Sequence, residues 1–261
     1  MRIDRKLKTT FDKVSRLYEL VRVGYPEKLV DDIIKFSQLP KGSKLLDIGC
    51  GSGKATILLA ERDFEITGID IGKNLIGIAK LKSKKLKNIK FILGSFENTE
   101  FPNNYFDIII SAQAWHWIDP SQGYRKIHRL LKHGGSLAFF WYFPLSGESH
   151  VLKKLGEVFD KYNPHRRKTG YTSRLIPFSI EVREKLISSG LFKNVNRRVY
   201  YKQGIVTAKR FIEIALTYGW IQSLQKEKRE RLINELSEIL RGQKPFSMPY
   251  KYILLQAKKK D

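Results

Sequence analysis

Residues 45–53 read Leu-Leu-Asp-Ile-Gly-Cys-Gly-Ser-Gly. A short apolar run leads straight into three glycines at alternate positions, and a helical pattern follows over 54–61. Glycine lets the backbone turn sharply and lets a ligand lie against the main chain where a Cβ would otherwise stand. The helix behind such a loop offers unpaired N–H groups. The spacing is not the dinucleotide fingerprint G-x-G-x-x-G, whose third glycine would fall at Lys54. Asp47, two residues before the first glycine, opposes a pyrophosphate by charge and suits a ligand carrying an ammonium group.

The rest of the chain keeps a strand-helix rhythm around this loop. Residues 9–38 read helical, broken at Gly24-Tyr25-Pro26. Strands are expected at 44–48, 65–70, 89–93, 106–111 and 136–142, with helices at 54–61, 74–84 and 123–131 between them. This alternation implies βαβ units, hence a parallel sheet with helices on both faces. After Pro144 helices are expected at 151–162, 179–188, 208–218 and 226–240, strands at 195–202 and 250–256, and a polar loop between the first two helices. The fold class is α/β, a doubly wound, seven-stranded, mostly parallel sheet. The chain reads as one domain, 1–261, with a ligand-binding core at 41–143 and helical caps at 1–40, about 144–180 and 203–245.

Composition narrows the class. Apolar residues are 42% and charged residues 29%, enough for a core and too ordinary for a disordered chain. No apolar run approaches the ~18 residues of a membrane span. The charged N-terminus has no hydrophobic leader, so a cytoplasmic location is expected. One cysteine, Cys50, excludes an internal disulfide and a multi-cysteine zinc site. The net charge of +23, of which +14 falls in 144–261, attracts anions, but runs such as Lys80–Lys90 read first as solvated faces.

Other strand ends supply candidate ligand groups, because ligands of open α/β sheets bind at the carboxyl ends of strands. Asp70 ends the second strand, where an acid can accept two hydrogen bonds from a ribose diol or cap the next helix. Ser95, Phe96 and Glu97 follow the third strand, where an adenine ring has room beneath Phe96. Ser111-Ala112-Gln113-Ala114-Trp115-His116-Trp117 closes the fourth.

The segments DIGCGSG, GID at 68–70, GSFE at 94–97, FDIIISAQAWHWID and LKHGG at 131–135 together resemble a class I S-adenosylmethionine (SAM)-dependent methyltransferase of the type 11 kind. The resemblance spans roughly 10–143. RVGYPEKLVDDII, AQAWHW and ALTYGWIQSL resemble the branch that contains trans-aconitate methyltransferase. The resemblance implies a Rossmann-like methyltransferase fold, SAM as cofactor and S-adenosylhomocysteine as product. It implies that Asp47, Gly49, Cys50, Gly51 and Gly53 hold the amino-acid end of SAM. Asp70 would take the ribose hydroxyls, Ile71 would pack on adenine, and Ser95, Phe96 and Glu97 would frame it. Gln113 would lie beside the sulfonium.

Methyl transfer from a sulfonium is an in-line displacement that asks for alignment more than for functional groups. A carboxylate acceptor needs no base, whereas an alcohol or amine does. His116 is the candidate base, titrating near neutral pH, with Gln113 beside it. Hydrogen bonding to substrate, or packing between Trp115 and Trp117, is its alternative role. Tyr18, Arg22, Trp115, His116, Tyr142 and Tyr171 are candidate acceptor contacts, with Tyr25, Trp141, Arg166, Arg167 and Arg174 nearby in kind. Arginine forks match carboxylates. No Asn/Asp-Pro-Pro-Tyr/Phe segment follows the fourth strand, so amino-group methylation of bases or glutamine is not expected, and Asp119 has no second carboxylate close by, so no metal is expected. The expected acceptor is a small molecule, anionic or a carboxylate. An RNA-directed methyltransferase, or an RNA-binding SAM protein, is the alternative raised by the charge.

Overall fold

The computed structural model describes residues 9–145, 149–163 and 175–261. Arg166, Arg167, Tyr171 and Arg174 lie outside the described residues. In chain order the elements are α1 (Thr10–Lys13), α2 (Ser15–Val21), α3 (Glu27–Ser37), β1 (Lys44–Ile48), α4 (Lys54–Ala60), β2 (Glu65–Asp70), α5 (Lys73–Lys82), β3 (Ile89–Leu93) and β4 (Phe106–Ala112). They continue with α6 (Pro120–Leu130), β5 (Leu131–Pro144), α7 (His150–Tyr162), α8 (Leu175–Ser188), β6 (Phe192–Lys202) and β7 (Ile205–Val206). The chain ends with α9 (Ala208–Leu216), α10 (Gly219–Gln222), α11 (Lys226–Leu240), β8 (Phe246–Ser247) and β9 (Tyr250–Lys259).

Seven strands form one sheet in the order β3-β2-β1-β4-β5-β9-β6. β1 to β5 run parallel, and β9 enters antiparallel between β5 and β6. The order reverses between β1 and β4, so the carboxyl ends of these two strands flank the crevice where such sheets bind ligands. Strand alternation divides the core in two. On β5, Ala138, Phe140 and Tyr142 join the layer of α3, α4, α7, α9 and α11, while Leu137, Phe139, Trp141 and Phe143 join that of α6 and α8. Burial of each large apolar side chain contributes roughly 1.5–3 kcal/mol, which makes the sheet a rigid base for its loops.

Several boundaries differ from expectation for local reasons. α6 starts at Pro120 rather than 123, because Asp119 caps it by accepting from the Ser121 amide at 3.0 Å, with proline in the first turn. β5 starts at Leu131, which pairs with Phe106 before the register shifts and Ser136 pairs with Ile108. The 3₁₀ turn Trp115–Trp117, α10 and the β7-β8 pair carry too few residues for periodicity to reveal. The buried Asp32 accepts from Tyr200 (2.7 Å) and Lys28 (3.1 Å) and pairs with Arg198 (2.9 Å), which ties α3 to the β6 edge. Among the described residues no helix is long and apolar enough to cross a membrane.

Candidate active site

The turn after β1 is built on glycine. The Gly49 and Cys50 amides both donate to the Ile69 carbonyl of β2, at 2.8 and 3.1 Å. Gly49 has φ +70°, and a Cβ there would stand 2.3 Å from the Ala114 Cβ. The glycine loop and the loop after β4 therefore touch backbone to side chain with no room for a methyl group. Gly53, at φ +79°, opens α4. Gly51, at φ +54°, has nothing within 4 Å of its Cβ position. Cys50 is buried, and its thiol would lie 3.0 Å from a Cβ at Gly68, so only its main chain lines the loop.

Two acids sit beneath and beside this loop. Asp47 is fully buried on β1 and accepts from the Thr56 hydroxyl at 2.7 Å through Oδ2. Its Oδ1 is buried with no hydrogen-bond partner among the described residues. Burial pushes this carboxyl up to about 7, against the pull of Thr56. Asp70 accepts from the Gly51 amide through Oδ2 and from the Gly72 amide through Oδ1, both at 2.8 Å. It thus clamps the glycine loop to the turn after β2, and each oxygen keeps a lone pair for a further donor. Burial raises its pKa, with Asp12 adding to the rise. Capping α5 falls instead to Asp12, on α1, which accepts from the Leu75 amide at 3.0 Å and from Asn74 at 3.1 Å.

The loop after β4 holds the next group. Gln113 has φ +58°, a costly conformation for a residue with a Cβ. Its amide donates to Phe140 at 2.9 Å and its Nε2 to the Tyr142 carbonyl at 2.7 Å. Its Oε1 is buried and unpartnered among the described residues. Trp115, expected to touch the acceptor, is a core residue: it stacks on Phe139 at 4.3 Å and donates to the Tyr124 hydroxyl at 3.2 Å. His116 lies in the 3₁₀ turn with its ring 4.6 Å from Trp117 and 6.1 Å from Phe178. Its Nδ1 is buried without a hydrogen-bond partner among the described residues. Burial lowers its pKa to about 3, so it does not titrate near neutrality as expected.

After β3, Phe96 is turned into the core beneath α6, with the Lys126 ammonium over its ring at 5.2 Å. It faces away from the position expected for a stacking platform. Ser95, Glu97 and Ile71 remain half-buried at the rim.

The N-terminal segment crosses the same end of the sheet. Phe11 meets Tyr18 and Trp117, each at 5.8 Å between ring centroids. Arg22 places its guanidinium 5.3 Å from the Tyr18 ring and 4.8 Å from the Tyr218 ring. Arg22 also lines a cavity of about 10 Å³ with Tyr142, Tyr218, Tyr250, Val21 and Ile214, beyond the end of β5. That space holds about one water. The Tyr142 hydroxyl is buried there beside Arg22, and burial pushes its pKa well up against the opposing charge and hydrogen bonding of that guanidinium. Trp141, the neighbouring candidate, points to the opposite face, against Phe178. Tyr25 packs edge-on against Phe140 at 4.8 Å, between this cavity and Asp47. Sequence reading missed Asp12 and Glu19, whose partners lie 33 to 63 residues away. Acidic residues facing the interior side of an N-terminal amphipathic segment were the available signal.

Comparison with known proteins agrees with this architecture. Residues 46–139 match the family model described as a methyltransferase domain. The chain is 28% identical over 137 residues to an uncharacterized methyltransferase of Mycobacterium tuberculosis, covering 52% of this chain and 54% of that protein. It is 30% identical over 145 residues to demethylmenaquinone methyltransferase of Listeria monocytogenes, covering 52% of this chain and 61% of that protein. The chain spans about half the length of the first curated relatives it matches. A solved phosphoethanolamine N-methyltransferase 2 of Haemonchus contortus, in complex with phosphomonomethylethanolamine and S-adenosylhomocysteine, aligns over 96% of this chain and 58% of that one. Its TM-score is 0.58 at 19% identity, a likeness of fold. With a 3-2-1-4-5 parallel core, an antiparallel strand inserted before its edge and an acid-led glycine loop, the chain has the Rossmann-like methyltransferase fold, and its residues 46–139 match a methyltransferase domain.

Proposed function

We propose that this chain transfers a methyl group from SAM to a small anionic acceptor, and that the acceptor atom is a carboxylate oxygen. The observation that carries the cofactor assignment is the Oδ1 of Asp47, a buried acceptor with no partner among the described residues, under an open glycine cradle. A buried carboxylate without a partner is costly, and a ligand ammonium would offset that cost. Gln113 Oε1 is a second buried acceptor at the adjoining strand end. Asp70 has lone pairs left for ribose hydroxyls, with Ile71, Ser95 and Glu97 at the adenine rim. The residues present therefore fit SAM, which when bound supplies an electrophilic methyl group on a sulfonium.

Two features support an anionic acceptor. The end of β5 gathers the Arg22 guanidinium and the tyrosines 142, 218 and 250 around space for about one water, a donor set that a carboxylate would engage only as these side chains move apart. It lies one strand beyond β4, whose Gln113 end adjoins the glycine loop. His116, held near a pKa of 3, is too weak a base to take a proton from an alcohol or an ammonium group. A carboxylate acceptor requires no such proton transfer. In this reading Gln113 and His116 orient the reacting groups, and Tyr18 and Arg22 close over them. The two named relatives act on other acceptors by their names, so the acceptor rests on this chain's own residues. The RNA-directed alternative gains nothing from the matches, and Lys80, Lys84, Lys85 and Lys87 lie exposed as a solvated helix end and turn.

Calorimetry with SAM and with NAD⁺ tests the cofactor. SAM is expected to bind and NAD⁺ not, and Asp70→Ala is expected to weaken SAM by about 100-fold, through two lost charge-assisted hydrogen bonds and a loosened loop. Preference for NAD⁺ overturns the reading. For the acceptor, carboxylic acids are expected to outrun amines and alcohols in a methyl-transfer screen. Arg22→Met is expected to raise KM for the acid about tenfold or more with SAM affinity little changed. The profile of kcat between pH 5 and 8 is expected to show no limb near 6.5. An amine or alcohol as best acceptor sinks the carboxylate assignment.

A further inference from the structure

One carboxylate gathers contacts from three separate elements. Glu19, on α2, accepts from the Ser52 hydroxyl in the glycine loop at 2.5 Å through Oε2. The same oxygen lies 3.3 Å from the Lys54 ammonium at the start of α4. Oε1 accepts from Lys82, at the end of α5, at 2.6 Å. Lys54 also donates to the Glu19 carbonyl at 2.9 Å, and Lys82 reaches the Ser52 carbonyl at 3.4 Å. Burial alone would raise the Glu19 pKa, but the Lys82 and Ser52 hydrogen bonds and the Lys54 charge outweigh it and hold the carboxyl below its usual range.

The rest of the N-terminal segment is placed to match. Asp12 is fastened to the first turn of α5 and Glu19 to its last residue, so residues 12–19 run the length of that helix. At about 1.5 Å per residue the ten residues of α5 span about 15 Å. Phe11 reaches Trp117 in the loop after β4. Arg210 of α9 donates to the Leu20 carbonyl. Residues 10–21 therefore form a strap whose first turn touches both the start of α5 and the aromatic loop, and whose far end is fastened at Ser52 of the glycine loop. The strap is joined to α3 by an extended stretch that begins at Arg22, where ψ is 133°, and contains Gly24, whose Cβ position is open. No stable helix of four or seven residues stands alone, so the strap's shape depends on what it is fastened to.

We propose that Glu19 is the latch of this strap: its bonds to Ser52, Lys54 and Lys82 hold the strap shut across the glycine cradle and set how fast the cofactor leaves. Glu19 is a positioning residue, acting on the cofactor through the loop and the strap. The inference rests on reading the glycine loop as the SAM cradle. Release of the strap requires the three bonds to the Glu19 carboxylate to break along with those at Asp12 and at the Glu19 and Leu20 carbonyls, while the sheet beneath stays as it is.

Hydrogen exchange of the protein without ligand reads the latch directly. Amides of residues 15–21 are expected to exchange about tenfold faster in Glu19→Ala than in the wild type, with Glu19→Gln between the two and the sheet amides unchanged. Raising salt from 0.05 to 0.5 M is expected to speed strap exchange modestly in the wild type and less in Glu19→Ala, because the half-buried ion pairs of Glu19 are screened only in part. In stopped-flow fluorescence, S-adenosylhomocysteine is expected to dissociate about tenfold faster from Glu19→Ala. Strap exchange within twofold of wild type overturns the latch, and an unchanged dissociation rate with a loosened strap overturns the gate. A wild-type protein that binds neither SAM nor S-adenosylhomocysteine overturns the cofactor reading and the gate with it, and the exchange result then judges the latch alone.

Discussion

Replacing Asp47 by asparagine is expected to abolish useful SAM binding and, above neutral pH, to make the ligand-free protein more stable. The folded protein holds the Asp47 proton up to about pH 7, because burial disfavours the charge. The unfolded chain releases it near pH 4. Between those two values the folded state binds the extra proton, so stability falls as pH rises through the window and the whole loss is present above 7. A difference of about three units corresponds to a ceiling of about 4 kcal/mol. Asparagine carries no charge to bury and keeps an oxygen to accept from Thr56. A gain of about 2 kcal/mol at pH 8 raises the melting temperature by about 5 °C, and the advantage shrinks toward pH 4. The same change removes the partner of the ligand ammonium, and SAM affinity is expected to fall about 100-fold or more. Thermal melts at pH 4.5 and 8, beside calorimetry, decide the matter. An asparagine variant that melts below wild type at pH 8 shows that the buried charge is not a cost. One that binds SAM within threefold of wild type shows that Asp47 is not the partner of the ammonium group.

The second large effect separates two glycines of one loop. Gly49→Ala is expected to destabilise the protein by about 3 kcal/mol and to lose cofactor binding. Its added methyl would lie 2.3 Å from the Ala114 Cβ, and its φ of +70° disfavours any Cβ. The overpacking costs about 1–3 kcal/mol and the left-handed conformation about 1. Gly51→Ala meets nothing within 4 Å, so only the backbone cost of about 1 kcal/mol applies, while the methyl enters the cradle. Urea unfolding is expected to show a clear drop in midpoint for Gly49→Ala and a small one for Gly51→Ala, with SAM binding impaired in both. Equal midpoints for the two variants would mean that the loops after β1 and β4 are not in contact.

The architecture was legible because it is written in short-range patterns. Apolar runs at 44–48 and 106–112 are central strands buried on both faces, with 65–70 and the edge strand 89–93 progressively more exposed, and such strands must be covered by the helices that alternate with them. The glycines of the loop were legible because left-handed backbone at 49, 51 and 53 leaves glycine as the least costly choice. Side-chain direction was less legible. Trp115 and Phe96 were read as lining the site by their position after strands, and both turned into the core, because a 3₁₀ turn and a bend set their directions where no period applies. Asp70 was read as ribose acceptor or helix cap. It holds two loops together through Gly51 and Gly72, and the cap is Asp12.

By itself, then, the order of residues determined the strand-helix alternation, the parallel core, the acid-led glycine loop and the strand ends at which a ligand must sit. These follow from hydrophobic period and backbone conformation, which act over a few residues. Tertiary structure alone decided that Asp47 Oδ1 is left without a partner among the described residues, that His116 is held as a neutral imidazole, that Arg22 joins the tyrosines at the end of β5, and that Glu19 fastens the N-terminal strap to Ser52, Lys54 and Lys82. Those outcomes depend on burial and on contacts between residues far apart in the chain, and burial is a property that a side chain acquires only from its neighbours in space.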